Sequence, residues 1–229
     1  MVSVIIPTLN DEKTLARTLA CLVPATVTGL VREVVIADGG SDDHTSVIAD
    51  DSGASFVAVG ADLGGRLKAG AERARGDWLL FINPDCLLEP GWALEVEAFI
   101  ARAEQVPGGR MQSAAVFRYA VEDFGKAARR REQLVFLRNR LFALPYGDQG
   151  LLIHRQLYTH VGGYPVAPGL PDVDMVRRLG RRRLIFLRSA AIAQTPPADQ
   201  GGPQSCAWRD LARFMLHALG VSTRVTARI

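Results

Sequence analysis

Four short apolar runs, each followed by a segment of helical periodicity, set the strongest limit on what this chain can fold into. Val2–Ile6, Glu33–Ala37, Ser55–Val59 and Trp78–Ile82 are rich in Val, Ile or Phe and have the length of buried strands. Between the first two, Leu15, Leu19 and Leu22 recur at helical spacing after Asn10-Asp11-Glu12, which reads as a helix start. Thr45–Asp51 and Gly65–Arg75 supply two more helices, and Trp92, Val96, Phe99 and Ala103 mark one face of another. Strands alternating with helices at this spacing mean βαβ units. The expected fold class is therefore α/β, with a mainly parallel sheet flanked by helices.

The second half reads less regularly. Ala115–Tyr119, Leu151–His154 and Leu184–Leu187 are expected strands, Lys126–Leu144 a basic helix and Leu211–Leu219 a terminal helix. Charge divides the chain at the Pro107-Gly108-Gly109 seam. Residues 1–109 carry 8 Lys+Arg against 16 Asp+Glu, whereas residues 110–229 carry 19 against 8, for a net +3 overall. The expectation is one domain, 1–229, made of an acidic half at 1–109 and a basic half at 110–229. An acidic half suits a cation and a basic half an anionic partner; the halves also neutralise each other if they share an interface.

Several function classes drop out. No window approaches the roughly 18 apolar residues of a membrane span, and the start Met1-Val2-Ser3-Val4-Ile5-Ile6-Pro7 has no basic region of a signal peptide. Cys21, Cys86 and Cys206 are odd in number and widely spaced, which points to a reducing, cytoplasmic setting. His44, His154, His160 and His217 lack metal-ligand spacing and read as structural or surface residues. Neither a phosphate-binding P-loop nor a dinucleotide fingerprint is present. Nucleic acid is not an expected partner, because the basic residues lack an interleaved aromatic platform.

The chemistry lies at strand ends. The first strand leads into Pro7-Thr8-Leu9-Asn10-Asp11-Glu12, the second into Asp38-Gly39-Gly40-Ser41-Asp42-Asp43, and the fourth into Asn83-Pro84-Asp85. In a parallel sheet all three turns share one edge, where ligands of open α/β folds bind. An Asp there can accept a base N–H or a ribose hydroxyl, and glycines let a ring approach the backbone. Asp85 reads either as a ligand of a hard cation carrying substrate phosphates or as a cap of its own turn.

The combined order of these motifs resembles a family-2 glycosyltransferase of the GT-A fold. It runs from Ser3 to Asn10, through Val34 to Asp43 and Ala74 to Asp85, and on to Tyr146–Gly150 and Val161–Pro165. Within that family it is most similar to the small bacterial selenodomain-associated glycosyltransferase-like subgroup. The resemblance implies an inverting, metal-dependent transfer of sugar from a nucleotide-diphosphate donor to an acceptor that the sequence does not identify. It implies that Pro7, Asn10, Glu12, Asp38 and Gly39 line the nucleotide site with Asn83. Arg66 and Lys68 would approach the phosphates; a solvated helix start is the rival reading for both. Asp85 would hold Mn2+ or Mg2+. Asp172 would be the general base, with helix N-cap as its rival role. Gly147, Asp148, Gln149 and Asp174 would lie on the acceptor side, so that the resemblance makes 1–109 a nucleotide-binding half and 110–229 an acceptor-side half of the single domain.

Three departures from the family pattern stand out. Asn83 replaces the first Asp of an Asp-x-Asp signature, Pro171 replaces a Glu before the base, and 193–203 is Pro/Gly-rich where the subgroup has a basic patch. The subgroup commonly has a non-acidic residue at the position of Asn83, which does not by itself remove metal binding; Pro171 and the altered 193–203 loop leave a catalytically impaired nucleotide-binding module as the alternative. A nucleotidyltransferase ranks lower, since Pro7-Thr8-Leu9-Asn10 is no Gly-rich phosphate loop. The basic helix within 126–142 either packs on the sheet, walls the acceptor site or makes peripheral membrane contact. A homo-oligomer also stays open.

Overall fold

The computed structural model describes residues 1–60, 62–122, 149–166 and 170–194. The expected helices at Lys126–Leu144 and Leu211–Leu219, the residues Gly147 and Asp148, and the loop beyond Gln194 lie outside the described residues. The first half alternates β1 (Val2–Thr8), α1 (Glu12–Val27), β2 (Val31–Asp38), α2 (Thr45–Asp51), β3 (Ser55–Ala58), α3 (Leu63–Arg73) and β4 (Trp78–Phe81). Then follow β5 (Cys86–Leu88), α4 (Trp92–Gln105), β6 (Ala114–Val121), β7 (Leu151–His154), α5 (Arg155–His160), α6 (Pro171–Leu179) and β8 (Leu184–Ala193).

All eight strands form one sheet in the order β3-β2-β1-β4-β7-β6-β8-β5. The first four pair in parallel, while β7 runs antiparallel to both β4 and β6. β4 and β5 are joined by only residues 82–85 yet stand four places apart in the sheet. Flat neighbours about 4.8 Å apart would put them roughly 19 Å apart, slightly beyond the reach of so short a link. The sheet therefore curls, and the acidic turn sits where the curl closes.

Every residue of β1 is buried, because helices cover both faces. Val2, Val4 and Ile6 join Leu15 and Leu22 of α1 and Trp92 and Val96 of α4 in one core. Ile5 joins Leu67 and Ala71 of α3, Leu157 of α5 and Val173 and Val176 of α6 in the other. Burying a Val or Leu side chain is worth about 1.5–3 kcal/mol, so these two layers hold the strand ends in a fixed plane.

Candidate active site

Two turns are stitched together at the carboxyl edge of β1 and β2. Parallel register sets Thr8 beside Asp38, and the Thr8 hydroxyl donates to Asp38 Oδ1 at 2.8 Å. The Ser41 hydroxyl donates to the same oxygen at 2.5 Å, and the Gly40 and Ser41 N–H groups donate to Oδ2 at 2.8 and 2.7 Å. Burial alone would raise the Asp38 pKa, but the hydrogen bonds from Ser41, Thr8 and Gly40 outweigh it and hold the carboxyl below its usual range. Asp38 thus shapes its own turn. The adjoining Asn10 adopts φ 59°, its N–H donating to Ser41 Oγ and its Oδ1 accepting from Asp42 N–H. Glu12 accepts from the His44 N–H and touches its ring, which lowers the Glu12 pKa. Pro7 is buried in β1 behind this edge.

Arg66 reaches this edge from α3. Its Nη1 donates to the Thr8 carbonyl at 2.6 Å, the same oxygen that accepts the Gly39 N–H at 2.8 Å. A Cβ on Gly39 would stand 3.2 Å from Arg66 Cδ, so the glycine leaves room for the arginine to lie across the turn. The buried Arg66 Nε has no hydrogen-bond partner among the described residues. Arg66 is therefore not a solvated helix residue. Lys68 is: two residues on, about 200° around the helix, it is exposed and pairs with Glu72 at 4.0 Å. The structure does not bring Lys68 to the strand edge. Asp11 lies among Asp38, Asp43 and Arg66, and burial raises its pKa.

The acidic turn after β4 is braced from two sides. Thr18 of α1 is buried and donates to the Pro84 carbonyl at 2.7 Å. Gln194, just past β8, donates its N–H to the Asp85 carbonyl at 2.9 Å and its amide to Thr18 Oγ1 at 3.1 Å. Asn83 lines a small cleft of about 20 Å3 together with Asp172, Tyr164, Gly150 and the apolar Leu67 and Val176. The Tyr164 hydroxyl donates to Asp172 Oδ1 at 3.0 Å.

Asp172 is not a helix N-cap. Leu170 holds that position without a side-chain bond, Pro171 is the first helical residue, and Asp172 follows it. Proline suits that place, since its fixed φ is helical and its missing N–H would have had no helical partner. Asp174 lies about 200° further round and does not line the cleft. Gln149 is buried, its amide donating to the Phe117 carbonyl at 3.0 Å, and the neighbouring Gly150 lines the cleft in its stead. Sequence reasoning passed over Thr8, Ser41, Thr18, Gln194 and Tyr164. The signals were hydroxyls beside strand-end carboxylates, and a tyrosine inside the Gly162-Gly163-Tyr164 run already singled out.

Fold and site together define an α/β architecture of the GT-A type with its polar turns on one strand edge. The glycosyl transferase family 2 model matches residues 3–148, more than half the chain, and the protein belongs to that family. Among relatives, glucosyl-3-phosphoglycerate synthase of Mycobacterium tuberculosis is 33% identical over 95 residues, which covers 38% of this chain and 29% of the synthase. A PGL/p-HBAD biosynthesis glycosyltransferase of the same species is 29% identical over 178 residues, covering 72% of this chain and 63% of that one. The chain thus spans less than two thirds of either relative. A crystal structure of the synthase with Mn2+, uridine diphosphate and glucosyl-3-phosphoglycerate superposes with TM-score 0.62 at 24% identity, over 97% of this chain and 81% of that one. Staphylococcus aureus TarS superposes with TM-score 0.64 at 18% identity, over 84% of this chain and 60% of the other. These two likenesses are of fold.

Proposed function

We propose that the protein is an inverting, metal-dependent glycosyltransferase that moves a sugar from a nucleotide-diphosphate donor to an acceptor hydroxyl. The observation that carries this reading is that Asp172 and Asn83 line one cleft, with Asp85 two residues further along the same braced turn. A general base and the end of the acidic turn then meet at one strand edge. The residues of the nucleotide-binding half supply the donor side, and those after residue 109 the acceptor side.

The carboxylates at Asp11, Glu12, Asp38, Asp42 and Asp43 repel phosphate, so this end of the edge suits a neutral base and ribose. Arg66 reaches this edge from α3, whose next residue, Leu67, lines the cleft. Among the described residues no three His, Cys, Asp or Glu side chains converge as a metal cage. A hard cation that keeps water and phosphate oxygens in its shell needs only one or two carboxylates, and Asp85 provides a hard oxygen donor of that kind. Held at Asp85, Mn2+ or Mg2+ would offset charge on the departing diphosphate. Asp172 takes the acceptor hydroxyl's proton as the acceptor oxygen bonds to the anomeric carbon. The bond from that carbon to the diphosphate oxygen breaks, and its electron pair leaves with the diphosphate.

Pro171 and the Pro/Gly-rich segment support the impaired nucleotide-binding module as a second reading. The Gly-Gly-Tyr-Pro run and Asn83 support the selenodomain-associated subgroup. Cys21 and Cys86 are both free, which suits the cytoplasm we propose as its compartment. No helix of the described residues is long and apolar enough to cross a membrane.

The test is a thermal-shift panel of UDP, GDP, ADP and CDP, each with and without Mn2+. UDP leads because the synthase structure holds it. A nucleotide at a hundred times its Kd adds about 2.7 kcal/mol of stability. Absence of any shift would remove the reading. A shift without turnover of the matching nucleotide sugars would leave the impaired module.

A further inference from the structure

We infer that Tyr164 is the positioning residue of Asp172, its phenol O–H holding Oδ1 so that the carboxylate meets the cleft in one orientation. The inference rests on the reading of Asp172 as general base.

The donor is built to point one way. Gly162 and Gly163 adopt φ 88° and 62°, left-handed values that turn the chain sharply before Tyr164. The turn is pinned on Tyr158, whose carbonyl accepts the Gly163 N–H at 2.9 Å and whose hydroxyl accepts the Tyr164 N–H at 3.1 Å. The Tyr164 ring is 2% exposed and meets Phe81 edge-on, with centroids 5.0 Å apart. With backbone and ring both fixed, the hydroxyl reaches one place, Asp172 Oδ1 at 3.0 Å. Burial, and then the negative charge of Asp172, push the phenol well above its ordinary pKa of 10, so it stays protonated and remains a donor.

The receiving end lacks a capping side chain of its own. Leu170 at the N-cap makes no side-chain bond, and Pro171 has no N–H to donate. Asp172 and Tyr164 line the same cleft, so the oxygen that Tyr164 holds fixes which face of the carboxylate an incoming hydroxyl meets. A buried phenol fixed from behind supplies that orientation.

The experiment compares wild type, Tyr164→Phe, Asp172→Asn and the double variant. UDP-glucose, UDP-N-acetylglucosamine and GDP-mannose are the donors, with Mn2+, and nucleoside diphosphate release is followed. Phenylalanine keeps the ring against Phe81, so Tyr164→Phe should fold and bind the nucleotide with Mn2+ as wild type does. Its kcat should fall about tenfold, the worth of a hydrogen bond to a charged group. Asp172→Asn should lose about 10²–10⁴, and adding Tyr164→Phe to it should change nothing further. Wild-type kcat in Tyr164→Phe, an equal loss in the Asp172→Asn background, or failure of Tyr164→Phe to fold would each overturn the positioning role alone. A fully active Asp172→Asn overturns the base and the positioning role together. Release of nucleotide from no donor by the wild type overturns the transferase reading as well.

Discussion

Gly64→Ala is the substitution whose effect the packing fixes most narrowly. Gly64 is buried in the first turn of α3, and a Cβ there would stand 2.0 Å from the Pro165 carbonyl oxygen and 3.5 Å from Pro171 Cβ. Real Cβ contacts do not fall under 3.0 Å, so α3 and the 163–171 segment must part by about 1 Å. The obstacle is backbone and cannot swing aside as a side-chain tip would. Overpacking of this sort costs about 1–3 kcal/mol or more, and alanine's better helix propensity returns up to about 1 kcal/mol, leaving a net loss of about 2 kcal/mol. For a chain of this length that lowers Tm by roughly 4–8 °C. The same movement separates the helix that carries Arg66 from the one that carries Asp172, and a misplacement of about 1 Å can cost on the order of 100-fold in kcat. Calorimetry gives the first number, and turnover well below the variant's Tm gives the second. A Gly64→Ala protein with wild-type Tm and kcat would show that the contact does not set the spacing of the site.

The remaining predictions concern single side chains. Asp85→Asn should keep the fold and lose the Mn2+-dependent part of UDP binding; equal UDP affinity in EDTA and in Mn2+ for the wild type would refute the ligand role. Asp38→Ala should weaken UDP binding more than binding of pyrophosphate with Mn2+. Because four donors lose their acceptor, it should also cost about 2–3 kcal/mol of stability, and an unchanged denaturation midpoint would contradict the hydrogen bonding described. Burial, then Arg110, lower the His154 pKa from 6.5, so the unfolded chain takes up a proton that the folded one resists. The contribution is whole above about pH 6.5 and is lost as pH falls below it. His154→Asn should flatten the loss of stability between pH 7 and 5, and an unaltered slope would rule out His154 as its source.

The parallel half was legible because β1 and β4, buried throughout, are continuous apolar runs, and β2 and the half-exposed edge strand β3 keep enough Val, Ile and Phe to read the same way. β5 escaped notice since its three residues gain their partner only in β8, some hundred residues on, and no local pattern reports that. β8 was read only as far as Leu187. Register slips beside Arg118, and Glu95 of α4 accepts the Arg188 and Ser189 N–H groups, so a polar stretch continues a strand it would normally end. In the site, residue types at strand ends were legible but their mutual contacts were not. Helical phase alone separates Arg66 from Lys68. The bond from Tyr164 to Asp172 depends on a glycine turn and a ring contact that only the folded chain defines.

The place of β7 between β4 and β6 bears on how such a chain is made. During synthesis β1 and β4 emerge early and can pair, but the outer edge of Trp78–Phe81 waits for Leu151–His154. At 5–20 residues per second that delay is roughly 4–15 s, during which four fully apolar residues present unpaired N–H and C=O groups. A nascent chain stalled within that interval offers other chains a sticky strand, whereas one released after it has that edge closed. Slowing translation between codons 82 and 150 should therefore raise the aggregated fraction without altering the finished protein's stability.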